Sequence, residues 1–544
     1  LDAFCGIVLR NQAWLLYTRT WFSDTIAGSL FRDKEQFIAS LVKRAEQAIT
    51  DKQTKELHQA LRLFRGATAR KRPQVFIRPL PVVQLESGEL AQNFTEGRMR
   101  WQRNSSVKEA GLQCNMDDLA AQCAQKQITR FRDRRDLNID NVPSICDLER
   151  EICTAKAGRA HGRNLIPNEV YKACPPTFAA IMHPLAVKIT CRIEQPIQHK
   201  GGLMIELWKG KGAMSDCNSS RGILIADNFG KILQSAIRHK VKAKYDNFIR
   251  PSQLGGRNHI SSDFGVHIVK TFLRVANSEQ ISAAALFIDA VAAFYSIIRP
   301  MVMTMDCSDE AIAGLLRDIG LPPTAMEELA QELKKVSILA EAGCSEHLED
   351  VIAAHNDFTW FEVQGAPTVT RARIGTRPGV PFADMIFNFA LKRVLDNIST
   401  QLRSEGLLCE IQWNGYHKFC DGGTDQSASK VELCEVSWVD DIVFLIKDRD
   451  PDELIRKLTK TVSTAWDCML VYNLRTNLDP GKTQAVVAFK GKGAQEARQQ
   501  LYVHQDSKLV FDTKHSGKQH LLIGFSYKHL GTILDYKQSM MQEV

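Results

Sequence analysis

Two adjacent carboxylates, Asp440 and Asp441, interrupt an apolar stretch at residues 435–446. The residues on both sides are β-branched or aromatic, which predicts two short strands with the Asp pair at or beside the tip of a hairpin. Two like charges this close raise each other's pKa, and a bound divalent cation reverses that effect. The pattern therefore fits half of a metal site, but it also fits an ordinary polar turn. Adjacent acids are not specific by themselves, because Asp117 and Asp118 form a second such pair in polar, helical surroundings.

A third carboxylate, Asp289, ends another apolar stretch at residues 282–289, about 150 residues before the Asp pair. Its composition predicts a buried strand, and helical patterns separate it from the hairpin. A sheet backed by helices could bring these strand ends together. Three carboxylates that hold two divalent ions are what phosphoryl transfer needs, since one ion activates the attacking hydroxyl and the other stabilises the leaving oxygen.

Cationic residues mark the ends of two further predicted strands, at residues 200–212 and 218–227. Lys209, Lys211 and Arg221 would suit a triphosphate, because an Arg fork and a Lys point charge both bind phosphate oxygens. A basic surface hairpin explains the same residues equally well.

Composition sets broad limits on the class of protein. The chain has 544 residues, of which 44% are hydrophobic, and a formal net charge of +8. This length predicts two to four domains, and the mild basicity is compatible with a polyanionic partner. The 14 cysteines show no zinc-ligand spacing and are expected to be reduced thiols in an intracellular protein. No run predicts a membrane span, and the two ends suggest a piece of a longer polypeptide.

Periodicity predicts helices over residues 1–66 and again up to about 160, joined by a basic, Pro-containing linker at residues 70–81. The linker is either a solvated charge run or a phosphate-contacting patch. Further helices are predicted to begin at Ser308, at a Thr324-x-x-Glu327 capping box and at Asp450. A Gly/Pro loop at residues 375–381 precedes a long amphipathic helix.

Five sequence blocks follow one another in a recognisable order. They are residues 287–294 with Asp289, Ala293 and Phe294, the loop and helix at 375–388, the aromatic-x-Asp-Asp sequence at 438–441, residues 477–483 with a Lys-Thr pair, and residues 527–531. Their order resembles the reverse transcriptase domain of non-LTR (LINE-type) retrotransposons, over about residues 200–534. Trp438 stands where that family usually has Tyr or Phe, and Pro378 stands where Gln is common.

The resemblance implies a role for each matching residue. Asp289, Asp440 and Asp441 would be the catalytic carboxylates and bind two Mg²⁺ ions, which Mn²⁺ can replace. Lys482 would protonate the departing pyrophosphate, and Phe294 would lie under the deoxyribose; spacing alone fits a surface Lys and a core Phe as well. The remaining implied contacts are Lys209, Arg221 and Gly379 with the nucleotide, and Pro378, Trp438, Tyr527, Lys528, His529 and Gly531 with primer or template.

The resemblance also implies an α/β (α+β) fold, a right-hand polymerase whose antiparallel palm sheet is backed by helices. The expected parts are a helical N-terminal region and linker at residues 1–160, fingers at 161–280, a palm at 281–490, and a palm edge with primer grip and the start of a minimal thumb at 491–544. The expected partners are an RNA template, a DNA primer or target and dNTP, with no membrane, at an intracellular and nuclear location.

Two other interpretations stay open. An RNA-dependent RNA polymerase shares the metal chemistry, although Phe294 argues against it because such an enzyme must accept a 2′-hydroxyl. A decayed retroelement fragment that only binds nucleic acid is the alternative outside enzymology.

Overall fold

The computed structural model describes residues 35–68, 83–132, 137–305, 308–413 and 429–536. The chain divides into two units, Leu1–Pro81 and Val82–Val544. Helices α1 (35–50) and α2 (Thr54–Thr68) belong to the first unit, and they confirm part of the helical pattern predicted for residues 1–66. The basic linker predicted at residues 70–81 lies outside the described residues.

The second unit carries the remaining elements. Its described helices are α3 (Phe94–Lys108), α4 (Met116–Arg132), α5 (Ile145–Thr154), α6 (Asn168–Ala173), α7 (Pro175–Arg192), α8 (Asn228–Phe248), α9 (Ser262–Ser278), α10 (Ala293–Ser296), α11 (Arg299–Val302), α12 (Asp309–Ile319), α13 (Pro323–Leu333), α14 (Ile338–Glu341), α15 (Glu346–Asn356), α16 (Ala383–Ser404), α17 (Pro451–Val471) and α18 (Ala494–Arg498). Its described strands are β1 (Leu112–Cys114), β2 (Gly201–Trp208), β3 (Ser220–Ala226), β4 (Ser282–Ile288), β5 (Trp360–Val363), β6 (Val369–Arg371), β7 (Cys409–Trp413), β8 (Ser429–Leu433), β9 (Glu435–Trp438), β10 (Asp441–Asp448), β11 (Gln484–Ala488), β12 (Lys508–Thr513), β13 (Gly517–Gly524), β14 (Ser526–His529) and β15 (Thr532–Asp535).

A six-stranded sheet occupies the centre of this unit, in the order β12-β13-β11-β4-β10-β9. Strand β4 is buried along its whole length and separates two hydrophobic clusters. Leu286 and Ile288 face the larger cluster, which includes residues of α16 and α17, whereas Phe287 faces the smaller cluster, which includes residues of α9. Because both faces are covered, β4 is a continuous apolar run instead of an alternating one.

A five-stranded sheet forms a second layer, in the order β1-β6-β5-β2-β3. Strand β1 pairs antiparallel with β6, from Leu112 opposite Arg371 to Cys114 opposite Val369. Residues from the early part of the second unit therefore complete a sheet whose other strands come much later in the chain.

Both large sheets are mixed, because β11 pairs parallel with β13 and β2 pairs parallel with β5. The mixed α/β class is confirmed, and the strands of the central sheet within the predicted palm, residues 281–490, pair antiparallel with their neighbours. Each neighbouring pair in the series β9, β10, β4, β11 is antiparallel. Strand β13 forms a hairpin with β12 and then lies parallel to β11.

Two of the three predicted helix starts, at Ser308 and Asp450, are confirmed. Asp450 caps α17 by accepting a hydrogen bond from the backbone N–H of Asp452 at 3.0 Å, as predicted. The prediction of a capping box at Thr324 is wrong, because α13 begins one residue earlier, at Pro323, and Thr324 lies inside the helix. Proline fits the first helical position, and the Thr324 hydroxyl instead hydrogen-bonds Nδ1 of His515 at 2.7 Å. Within the described ranges, no helix combines the length and apolar character that crossing a bilayer requires.

Candidate active site

The strand register brings the three predicted carboxylates to one edge of the six-stranded sheet. Strands β4 and β10 pair antiparallel with Ile288 opposite Ile442. Asp289 directly follows Ile288, and Asp441 directly precedes Ile442, so both acids lie beside this pair. Asp441 in turn lies opposite Trp438 across the β9–β10 hairpin, whose turn holds Asp440. The predicted hairpin is confirmed, and acids about 150 positions apart in sequence become neighbours.

The turn of the Asp hairpin has an unusual backbone. Val439 has φ +57°, a left-handed conformation that is unfavourable for a β-branched residue. The segment beside it supports this conformation, since Ser437 exchanges backbone hydrogen bonds with Ser252 and Leu254 at 3.0 and 2.9 Å. A Cβ on Gly255 would lie 2.6 Å from the backbone N of Val439, so the approach requires glycine.

Helix α16 fixes this glycine from the other side. Asn388 is 1% exposed and donates from Nδ2 to the carbonyl of Gly255 at 2.9 Å. Its own carbonyl accepts from Nε2 of Gln253 at 2.9 Å. The position of the Asp turn is therefore determined by the core helix that follows the 375–381 loop.

Asp289 is held by the turn that precedes β11. Its backbone N–H donates to the hydroxyl of Thr483 at 3.1 Å, and its carbonyl accepts from the backbone N–H of Asn477 at 2.8 Å. The side chain of Asn477 also donates to Oδ2 at 3.3 Å. Nζ of Lys482 lies 3.2 Å from Oδ1 and 3.1 Å from Oδ2, so the ammonium group pairs with this carboxylate.

The carboxylates disfavour one another's ionised form. Loss of hydration and the charges of Asp440 and Asp289 raise the pKa of Asp441 from 3.8 to about 6. The pKa of Asp440 is also raised, first because surrounding protein removes part of its hydration and then by the charge of Asp289. The opposing charges of Arg221 and Lys482 only partly offset this rise. The three acids thus carry more negative charge than the nearby cations compensate.

The predicted cations of the β2–β3 hairpin interact electrostatically with groups at the acids. Arg221 lies opposite Leu207 in the β2–β3 hairpin, and the Lys209 ammonium donates to the carbonyl of Asn218 at 2.7 Å. Burial and then the charges of Arg221, Lys482 and Lys211 lower the pKa of Lys209. Cations from two sheets therefore act on one another and on Asp440.

Phe294 lies at the junction of the two layers. Its half-buried ring stacks on Phe387 of α16, with 4.8 Å between ring centroids, and contacts both the main cluster and the cluster around β2 and β3. The next residue, Tyr295, donates its hydroxyl to the carbonyl of Gly222 in β3. The segment that follows Asp289 is thus fastened to the strand that carries Arg221.

The 375–381 loop makes a close backbone approach, but to protein. Gly379 has φ +112°, and a Cβ there would lie 2.4 Å from the carbonyl oxygen of Leu224. The carbonyl of Pro378 accepts from the backbone N–H of Leu224 at 3.2 Å. The missing side chain of Gly379 therefore makes room for strand β3, and its approach to a nucleotide stays a prediction.

The residues predicted to contact primer or template lie in different environments. Tyr527 stacks on Phe287 at 4.2 Å, and burial together with Asp441 and Asp289 raises its pKa to about 12, which places it beside the acids. His529 is 3% exposed, and burial lowers its pKa to about 4, so its neutral ring packs in the core beside Phe287.

Lys528 is exposed, and Gly531 has φ +92° at the β14–β15 turn. The half-buried Trp438 packs against the cluster around α9.

The chemistry of the acids fits a hard divalent cation, since Mg²⁺ prefers carboxylate oxygens. Burial and then the charges of neighbouring acids raise the pKa of Asp440 and Asp441, and a bound cation would favour the ionised form of both. In the arrangement seen here, no three His, Cys, Asp or Glu side chains of the described residues converge as a metal centre. Lys482 supplies the cation next to Asp289 instead.

Sequence reasoning missed Gly255, Tyr295 and Asn477 as individual contributors to this site. The signal for Asn477 was available, because Asn starts turns by accepting from the backbone two residues on, as it does here from Asp479 at 3.0 Å. Gly255 and Tyr295 carry no such local signal, since each acts on a strand far away in sequence.

No model of a known protein family matches this chain, and no curated protein sequence matches it either.

Proposed function

We propose that the chain is an RNA-directed DNA polymerase of the non-LTR retrotransposon type, which adds a deoxynucleotide to a primer 3′-hydroxyl. The observation that carries the proposal is the β4–β10 register, Ile288 opposite Ile442, which joins Asp289 to the Asp440–Asp441 turn. Five sequence blocks in the order of that family support the same function.

In this proposal, the six-stranded sheet is the palm and the five-stranded sheet belongs to the fingers. The side chains of Lys209 and Arg221 would meet the triphosphate, because the charge of Arg221 acts on Asp440 and Lys209 interacts with Lys482, the ion-pair partner of Asp289. The template would be RNA and the primer DNA, and the site of action would be the nucleus.

Two Mg²⁺ ions bound by Asp289, Asp440 and Asp441 would supply activation of the attacking hydroxyl and stabilisation of the leaving oxygen. The chain's own residues then have separable tasks. Lys482 holds a proton beside Asp289 and could release it to the leaving pyrophosphate. Phe294, packed on Phe387, provides a fixed aromatic surface beside the sugar.

Primer extension tests the proposal. The parent, Asp289→Asn and Asp440→Asn are compared with Asp118→Asn, an exposed acid of the other adjacent Asp pair. With an RNA template, a DNA primer, dNTPs and Mg²⁺, the parent and Asp118→Asn should extend equally. Each of the first two variants should lose at least about 1,000-fold in rate, since a metal contributes several kcal/mol to the transition state.

Equal extension by the parent and Asp440→Asn would remove this site from the reaction. Retained RNA binding without extension by any of the four proteins would favour a fragment that only binds nucleic acid.

A further inference from the structure

Three cations lie at the C-terminal end of helix α15. Lys200 donates to the carbonyls of Ala354 and Asp357 at 2.5 and 3.2 Å. Arg377 donates to the carbonyl of His355 at 3.2 Å, and Arg299 donates to that of Asn356 at 2.7 Å. The last carbonyls of a helix have no partner within it and carry partial negative charge, so cations are favourable there.

The same guanidinium groups hold the segment that enters the 375–381 loop. Arg299 is 1% exposed and donates to the carbonyls of Gly375, Ile374 and Ala372 at 2.6, 2.8 and 3.2 Å. Arg377, 4% exposed, lies within the loop and also donates to the carbonyl of Lys200. The loop is thus fixed to α15 through two buried positive charges.

Burial disfavours these charges. It lowers the pKa of Arg299 to about 10 and that of Arg377 to about 9, and for Arg377 the charge of Arg299 lowers it further. Both groups still carry a proton at neutral pH, so two positive charges share one apolar interior. Such a pair is stable only where negative charge compensates it.

Glu109 supplies negative charge at this place. It follows α3 directly, is 1% exposed, and neither of its carboxylate oxygens accepts a hydrogen bond from any residue that the structure describes. Its charge raises the pKa of both Arg299 and Arg377, while Asp357 acts on Arg299 as a second acid. Burial raises the pKa of Glu109 to about 7, and the charges of Arg299, Arg377 and Lys108 oppose that rise, so the carboxylate is mostly ionised at pH 8.

The backbone of Glu109 contacts the loop as well. Its carbonyl accepts from the backbone N–H groups of Arg373 and Ile374 at 3.1 and 3.2 Å. Its charge also acts on Tyr295, the residue that fastens the segment after Asp289 to strand β3. One residue therefore acts, through charge or backbone, on both buried guanidinium groups and on the segment that enters the loop.

We infer that Glu109 is a positioning residue, which keeps the 375–381 loop in register with the acids by compensating Arg299 and Arg377. The inference rests on the proposed function for its consequence in catalysis, because that loop would orient template and nucleotide. The effect on loop order is independent of any activity.

Hydrogen exchange at pH 8, without nucleic acid, tests the loop directly. Glu109→Gln keeps the side-chain shape and removes the charge, Glu109→Asp keeps the charge, and Glu89→Gln neutralises an exposed acid of the same segment. Peptides covering residues 372–380 should exchange at least about tenfold faster in Glu109→Gln, because their local opening becomes easier. Glu109→Asp should restore much of the protection, and Glu89→Gln should match the parent.

Two results would overturn the inference: parent-like exchange of the loop in Glu109→Gln, or equal acceleration in peptides from β4 and β10, which indicates general destabilisation. If the parent extends primers, Glu109→Gln should also raise the KM for dNTP about tenfold and leave kcat within about twofold, because it disturbs binding geometry and not the acids. If the parent protein lacks polymerase activity, the proposed function is wrong. The hydrogen-exchange result would still decide whether Glu109 orders the loop.

Discussion

Replacing Asp441 with Asn should stabilise the protein when no divalent metal is present. The three acids repel one another, and Asp441 is the member whose pKa is raised to about 6. Asn keeps the size of the side chain and removes its charge. Removing this charge is therefore expected to favour the folded state.

The magnitude follows from the pKa of Asp441, which rises from 3.8 to about 6. At 1.36 kcal/mol for each unit of pKa, this rise corresponds to about 3 kcal/mol, and partial exposure to water reduces the effect to about 1 kcal/mol. A raised pKa means that the folded state prefers the protonated acid. The stability contribution of this group is therefore complete below pH 3.8 and is lost as the pH rises through about 6.

Thermal unfolding in EDTA between pH 4 and pH 8 measures this effect. At pH 8, Asp441→Asn should unfold about 1 °C above the parent, and the difference should vanish at pH 4. Mg²⁺ at about ten times its Kd should then stabilise the parent by about 1.4 kcal/mol and the variant much less. Asp118→Asn, which changes an exposed acid in α4, should show neither effect.

A variant that is less stable than the parent at pH 8 in EDTA would refute the electrostatic reasoning. So would a stability difference of the same size at pH 4 and pH 8, because a shape effect does not depend on the charge of Asp441.

Three further substitutions test separate parts of the site. Phe294→Val should raise rNTP use relative to dNTP at least about tenfold in single-nucleotide incorporation, because a smaller side chain admits a 2′-hydroxyl; unchanged selectivity would show that the ring does not meet the sugar. Gly255→Ala should lower kcat about 100-fold, since its Cβ would lie 2.6 Å from the backbone N of Val439. Gly314→Ala is the matched control, with no atom within 4 Å of the new methyl group, and should keep full activity. Lys482→Gln should lower the single-turnover rate about 100-fold with little change in nucleotide affinity; an equal loss in both would indicate a binding role.

The sequence predicted the elements whose signals are local. The caps at Ser308 and Asp450, the long helix after the Gly/Pro loop and the β9–β10 hairpin each depend on residues a few positions apart. Apolar runs that end on acids also located the candidate site, because buried strands with a terminal charge are uncommon without a reason.

Contacts between distant segments could not be predicted in this way. Strand β1 has only three residues, too few for an alternating pattern, and its partner β6 lies more than 250 positions later. Glu109, Arg299 and Arg377 look like surface residues in the sequence, because charged side chains are rarely buried. Their burial becomes favourable only when α15, α3 and the loop meet, which no single stretch of sequence indicates.

The register that unites the acids depends on only half of strand β4. Ala283, Ala284 and Ala285 alternate between the two faces of the sheet and are equally small on both, so they would tolerate a slip of one residue. The last three residues of β4 would not tolerate such a slip. It would move Phe287 into the opposite cluster and away from Tyr527, on whose ring it stacks with 4.2 Å between ring centroids. The large side chains that define the register are thus those next to Asp289. The packing of these three residues thus supports the alignment of Asp289 with Asp441, and the core and the candidate site share them.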